Sequence, residues 1–320
     1  MKNTPLACFL LLATLIGCKD DPEPALAPEA ENFLNEVLNI MEENSINRKT
    51  IDWPDFKATV MQKATGAKTI AGTYPAIEEA LKMLGDNHSF YVKSNGGAIS
   101  ARTVPCNSQS IVKPTLPPNI GYVKVNAYSG ASDDAAGRAF AQEIQDQIKN
   151  QDNADIIGWI VDLRSNLGGN MWPMLAGIGP ILGEGTAGYF IDPDGRASSW
   201  GFRNGGAVAE GFVATQLTNS YTLNKPQPKA AVLLDAGVAS SGEVIAISFI
   251  GRSNTKSFGS STCGATTGNT AFALSDNSTL YLTTVYLADR NKNLFGIPVE
   301  PDLVSSNQNI IEDALEWIGN

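Results

Sequence analysis

The chain has 320 residues, 23 basic and 33 acidic side chains, a net charge of −10 and 43% hydrophobic residues. That length provides for one large domain or a core with a smaller subdomain, and the acidic balance argues against nucleic acid or an anionic membrane surface as partner. With a single histidine and no Cys-x-x-Cys pair the sequence holds no metal-binding set, and no metal or cofactor is expected.

Lys2 precedes an apolar run from Leu6 to Ile16, broken only by Cys8 and Thr14. The run is too short to span a bilayer and fits the core of a signal peptide. It closes in Leu15-Ile16-Gly17-Cys18, which resembles a bacterial lipobox, whose cysteine is diacylated and becomes the mature N-terminus. An ordinary signal peptide cut elsewhere is the plain alternative. Residues 1–17 are thus expected to be a lipoprotein signal peptide and Cys18 the lipidation site. Residues 18–29 are a short acidic, proline-rich tether. Lys19-Asp20-Asp21 resembles a signal that carries lipoproteins to the outer cell surface; the alternative is an anchor facing the periplasm. Either way an outer-membrane lipoprotein of the cell envelope is expected, touching the membrane only through its lipid. Of four cysteines, Cys8 leaves with the signal and Cys18 takes lipid. Cys106 and Cys263 remain, as a bridge or as two separate buried thiols.

Residues 30–92 read as a helical N-terminal subdomain. Phe33, Leu34, Val37, Leu38, Ile40 and Met41 have helical spacing behind an acidic first turn. Pro54 suits the first turn of a second helix through Phe56, Val60 and Met61. A third opens at Thr73-Tyr74-Pro75 and closes at Gly85. Residues 94–118 are rich in Ser, Gly and Pro and loop-like.

An α/β region follows, and residues 93–320 are read together as one domain. Strands are expected at Ile120–Val125, Ile156–Leu163, Ala230–Asp235, Ser257–Gly259, Thr270–Leu274 and Leu280–Leu287. Helices are expected at Asp133–Asn150, near Met171–Leu182, at Gly242–Gly251 and at Ile310–Trp317. Strands alternating with helices imply a largely parallel sheet with helices packed on it.

Three segments carry the chemistry. The lone histidine, His88, lies in Gly85-Asp86-Asn87-His88-Ser89. A glycine-rich turn, Asp162-Leu163-Arg164-Ser165-Asn166-Leu167-Gly168-Gly169, follows a buried strand. A serine pair, Ala239-Ser240-Ser241-Gly242-Glu243, ends a strand and opens a helix. A serine, an imidazole base and a turn presenting backbone N–H groups are the minimum parts for acyl transfer.

These segments, in this order, resemble peptidase family S41, which includes the C-terminal processing and tricorn core proteases. Phe258-Gly259-Ser260-Ser261-Thr262-Cys263-Gly264 and Val299-Glu300-Pro301-Asp302 also match. The resemblance implies a ClpP/crotonase-like α/β core and a serine endopeptidase acting on peptides or unfolded protein tails. It makes Ser240 the nucleophile, with Ser241 its nearest rival. His88 is the base, and the backbone of Gly168, Gly169 and Ser241 forms the oxyanion hole. The processing proteases pair their serine with a lysine directly after the Thr-x-Gly stretch; that position here is Ala265. An unperturbed imidazole, with a pKa near 6.5, would accept a proton at neutral pH. For a supporting acid the sequence offers Asp289, Glu243 and Asp86, although Glu243 could anchor the helix start and Asp289-Arg290 could be a structural ion pair. Asp162 and Arg164 could serve only to fix their turn. A peptide-binding lipoprotein without activity, motivated by Asn87 and the uncertain acid, and a hydrolase of another ester or thioester remain as rivals.

Overall fold

The computed structural model describes residues 26–102 and 105–320; Cys18 lies outside them. Three helices open the described chain: α1 (Pro28–Asn44), α2 (Trp53–Lys63) and α3 (Tyr74–Met83). A proline occupies the first turn of each, where its missing N–H costs nothing. The Asp52 side chain caps α2 by accepting from the Asp55 N–H.

Five strands form a wholly parallel sheet in the order β13 (Leu303–Val304), β10 (Thr255–Gly259), β9 (Lys229–Leu234), β4 (Gly158–Asp162), β3 (Ile120–Lys124). Alternation along each strand divides its side chains between two cores. Trp159, Val161, Ala230, Val232 and Leu234 face α4 (Ala135–Lys149), α5 (Met171–Leu182) and α6 (Ser241–Phe249). Ile160, Ala231, Leu233 and Phe258 face Ile310, Ala314 and Ile318 of α7 (Ile310–Gly319). Covered on both sides, β4 and β9 read as unbroken apolar runs, which is why their positions are plain in the sequence.

The second sheet departs from the expected architecture. It has eight strands, all antiparallel, ordered β2 (Ala98–Ser100), β1 (Phe90–Val92), β12 (Thr279–Asp289), β5 (Gly185–Ile191), β6 (Ala197–Arg203), β7 (Gly206–Ala209) and β8 (Phe212–Gln216), with β11 (Thr267–Ala273) on the other side of β12. β5 to β8 are short, mixed in polarity and often half-exposed, so no periodic apolar pattern announces them. β2 lies within the stretch 94–118 read as loop, and β1 closes the stretch 30–92 read as helical.

The antiparallel sheet is anchored at both ends. Phe33, Leu34, Val37 and Leu38 of α1, with Ile77, Ala80 and Leu81 of α3, pack against Tyr91, Leu280 and Leu282. At the other end Trp200, Ala207 and Leu287 join the core of α5 and α6. No helix among the described residues is long and apolar enough to cross a membrane.

Candidate active site

A cleft of about 1030 Å³ is lined from both layers. The parallel layer contributes the Gly168–Gly169 turn between β4 and α5 and the Ser240–Ser241 turn between β9 and α6. The antiparallel layer contributes His88 before β1, Thr267 and Asn269 on β11, and the rings of Phe90, Phe190 and Tyr281.

Ser240 sits at φ 52° and ψ −119°. A β-carbon-bearing residue rarely adopts such a backbone, which costs on the order of 1–3 kcal/mol and persists only where its surroundings enforce it. Glu243 is the enforcing group. One carboxylate oxygen accepts the Ser240 N–H at 2.9 Å; the other accepts the Thr262 hydroxyl at 2.5 Å and the Gly264 N–H at 2.8 Å. Burial pushes the Glu243 pKa up, and these three donors work against that rise. The two serines differ in their freedom. Ser241 is buried, and its hydroxyl donates to the Gly169 carbonyl at 2.6 Å. Ser240 is only half-buried and opens on the cleft.

The glycine turn is pressed against the serine turn. A Cβ on Gly168, which has φ 93°, would lie 2.6 Å from the Ala239 carbonyl and 2.9 Å from the Ser241 nitrogen. Asn166 binds the two turns together. Its carbonyl accepts the Ala239 N–H at 2.9 Å, its amide donates to the Val125 carbonyl, and its Oδ1 accepts the Gly168 N–H at 3.0 Å. The expectation that Gly168 donates to an oxyanion is therefore corrected, because its N–H already has a buried partner. Among the described residues the N–H groups of Gly169 and Ser241 have none. Asp162 and Arg164 brace the turn from below: the guanidinium donates to both carboxylate oxygens, at 2.9 and 2.6 Å, and Tyr122 donates to one of them.

His88 is held by its loop. Asp86 accepts the backbone N–H groups of His88 and Ser89 and the Ser89 hydroxyl, and Asn269 donates to the His88 carbonyl at 2.9 Å. Thr283 joins Asp86 to Asn269 through its own hydroxyl. The ring nitrogen Nδ1 lies 2.9 Å from the Thr267 hydroxyl. The ring edge reaches the cleft while protein crowds the rest of it. This desolvation lowers the pKa to about 4; the Asp86 charge opposes the fall and Arg102 adds to it. The ring is thus far from the unperturbed imidazole expected. No hydrogen bond joins Ser240 and His88 in this conformation.

None of the three acids bonds the ring. Glu243 holds the Ser240 turn. Asp289 accepts from the backbone of Asn291 and Asn293 and from the Asn293 side chain, closing its own turn, and forms no ion pair with Arg290 among the described residues. Asp86 shapes the loop rather than the imidazole. Thr267 stands beside Nδ1, where the expected acid would be. Nothing marks it in the sequence, since its role arises only from the pairing of β11 with β12, whereas Asn166 lies inside a motif already noticed. Ala265 lines the cleft at the position a lysine would need. Cys106 and Cys263 are bridged, with Cα atoms 5.4 Å apart. Arg102 donates to the Cys263 carbonyl at 2.9 Å and to the Asn87 carbonyl at 3.2 Å.

A strained serine at a strand-to-helix turn, beside a glycine turn and across a cleft from a fixed imidazole, defines an α/β scaffold of the serine-peptidase type. Residues 119–305 match the profile of Peptidase family S41, and the chain belongs to that family. It is 29% identical over 295 residues to the nisin-resistance protein of Lactococcus lactis subsp. lactis, covering 91% of this chain and 87% of the relative. Among solved structures, a lipoprotein from Streptococcus agalactiae superposes with a TM-score of 0.74 at 25% identity, over 92% of this chain and 97% of that one. The photosystem II D1 C-terminal processing protease shares the fold with a TM-score of 0.56 at 16% identity, over 87% and 93% of the two chains.

Proposed function

We propose that this protein is a serine endopeptidase of the cell envelope, with Ser240 as nucleophile and His88 as general base. The observation that carries the reading is the strained, cleft-facing Ser240 beside two unpartnered N–H groups, in the same cleft as the lone imidazole. In the tautomer in which Thr267 accepts from Nδ1–H, Nε2 is unprotonated and able to take the Ser240 proton. Ser240 Oγ attacks the scissile carbonyl, and the Gly169 and Ser241 N–H groups receive the oxyanion. The imidazolium then protonates the leaving amine, and water hydrolyses the acyl-enzyme by the same steps in reverse roles. The mechanism requires that substrate binding bring Ser240 and His88 into hydrogen-bond reach, as catalytic bonds often tighten only in the substrate complex.

The relative named for nisin resistance makes nisin the first peptide to test. The resemblance of Leu15-Ile16-Gly17-Cys18 to a lipobox supports a lipid anchor at Cys18, with the helical subdomain, residues 30–92, and the catalytic domain, residues 93–320, standing off the outer membrane on the tether.

A fluorophosphonate probe should label the wild-type protein and fail to label Ser240→Ala; labelling that survives the substitution moves the nucleophile elsewhere. The second reading is a peptide-binding protein without turnover, favoured by the fact that no carboxylate among the described residues bonds the His88 ring. Peptide cleavage by pure protein that disappears in His88→Ala excludes it.

A further inference from the structure

One permanent charge stands in the cleft. Among the described residues that line it, Arg102 is the only lysine, arginine, aspartate or glutamate. The chain has 33 acidic side chains against 23 basic ones, and the cleft lining is nonetheless free of acids among the described residues. The fold sets Arg102 beside the imidazole. β1 and β2 pair antiparallel with Phe90 opposite Ser100, so the chain leaving β2 runs back alongside the chain entering β1. Arg102 lies just past that pair and His88 just before it. One guanidinium nitrogen, Nη1, donates to the Asn87 carbonyl at 3.2 Å; the other, Nη2, donates to the Cys263 carbonyl at 2.9 Å and to the Cys263 sulfur. The bridge to Cys106 holds the Cys263 loop in place. These acceptors are neutral, so the bonds fix the plane of the guanidinium without themselves cancelling its charge. The charge is felt at the ring, where it adds to the fall in the His88 pKa.

The backbone adds potential of the same sign. α5 and α6 both begin at the cleft, with Met171 and Ser241, and a helix N-terminus is the positive end of its dipole. A concave site of one sign, with no counter-charge in its lining, draws a ligand group of the opposite sign and repels one of its own. We infer that Arg102 is a specificity-determining residue that binds a carboxylate of the peptide substrate close to the scissile bond. The inference rests on the reading of the cleft as the peptide site and adds to it a substrate class: peptides with a carboxylate beside the bond that is cut, supplied by an aspartate or glutamate side chain or by a free C-terminus. Closeness to that bond follows from the place of Arg102 beside His88, since a base that takes the Ser240 proton must stand over the scissile bond. A lysine or arginine of the peptide in the same place is disfavoured by like charge.

The test is fluorescence anisotropy with full-length Ser240→Ala protein, which binds without cutting. The probes are short labelled peptides of alanine, serine and leucine with an amidated C-terminus, in which one glutamate, glutamine or lysine is placed at each position in turn. A further probe has no charged side chain and a free C-terminal carboxylate, which tells the two sources apart. At its preferred position a carboxylate should tighten binding roughly tenfold over the neutral peptide, and lysine there should weaken it. Salt should narrow the gap. Adding Arg102→Gln should abolish the preference, whereas Arg102→Lys, which keeps the charge, should retain part of it; thermal unfolding identifies any variant that fails to fold. Equal affinity for glutamate and glutamine at every position, with no gain from a free C-terminus, overturns the inference. So does a preference that survives in folded Arg102→Gln, or one lost as completely in folded Arg102→Lys as in Arg102→Gln. Ser240-dependent cleavage of the same peptides with no carboxylate preference sinks the subsite and leaves the peptidase standing. A carboxylate preference in binding, with no cleavage of any peptide by the wild-type protein, sinks the peptidase and leaves the subsite.

Discussion

Ser240 keeps its unusual backbone because Glu243 anchors the turn from inside the protein, and His88 keeps its orientation because Thr267 holds one ring nitrogen. A hydroxyl in place of a carboxylate can hold the ring in either tautomer, since it donates as well as accepts, and gives an imidazolium little stabilisation. Thr267→Val, which removes the hydroxyl and preserves the shape, should lower kcat by on the order of 10- to 100-fold with KM little changed. Thr267→Ser should restore most of the loss; a KM effect alone, or no rescue, would contradict the orienting role. The lowered His88 pKa fixes the direction of the pH response. On the proposed mechanism the neutral ring is the base, so kcat/KM should rise with pH through a value near 4, not near 6.5. The same shift bears on stability. Between about 6.5 and 4 the unfolded chain binds a proton that the folded ring refuses, so stability falls as the pH is lowered through that window. An acid limb that bends near 6.5 would show the ring to be solvated.

At the scale of elements, the cleft is two tight turns clamped by Asn166. The positive φ of Gly168 and its distance from Ala239 and Ser241 leave no room for a methyl group. Gly168→Ala should cost about 1–3 kcal/mol from backbone strain alone. Because the displaced atoms belong to the Ser240–Ser241 turn, activity should fall further than stability does. Matched thermal unfolding and peptide-cleavage assays decide this, and a variant of normal activity would mean the turns are less tightly coupled than the clash implies. Elements with a well-defined buried surface were legible from the chain alone: β4 and β9, covered on both faces, show as apolar runs, and α4, buried on one face, shows a clear periodicity. The strands from Gly185 to Gln216 were not, because the sheet they form is half-exposed and draws its order from cross-strand pairing.

At the scale of the whole molecule, the layer bearing His88 must hold its place against the layer bearing Ser240. The Cys106–Cys263 bridge ties the segment after β2 to the loop that carries Thr262 and Gly264, the partners of Glu243. It therefore connects the two sides of the cleft beside the chemistry. Replacing both cysteines by serine should destabilise the fold by about 2–5 kcal/mol, as closing so long a loop implies. It should also reduce kcat at temperatures where the protein remains folded. Unchanged turnover in the folded double variant would show that packing alone registers the layers.

The sequence by itself determined the family, the parallel core and the identity of the cleft's parts, because a buried strand, a glycine turn and a serine turn are each written in consecutive residues. It also carried the two cysteines of the domain, though not the bond between them. Tertiary structure alone decided which N–H groups are left unpaired among the described residues, that a threonine stands behind the imidazole in place of an acid, and that the rings of Phe190, Trp172 and Phe212 meet beside the cleft. Each of these depends on atoms from distant strands and turns meeting in space, and a hydrogen bond or a ring contact between such partners has no local signature in the chain.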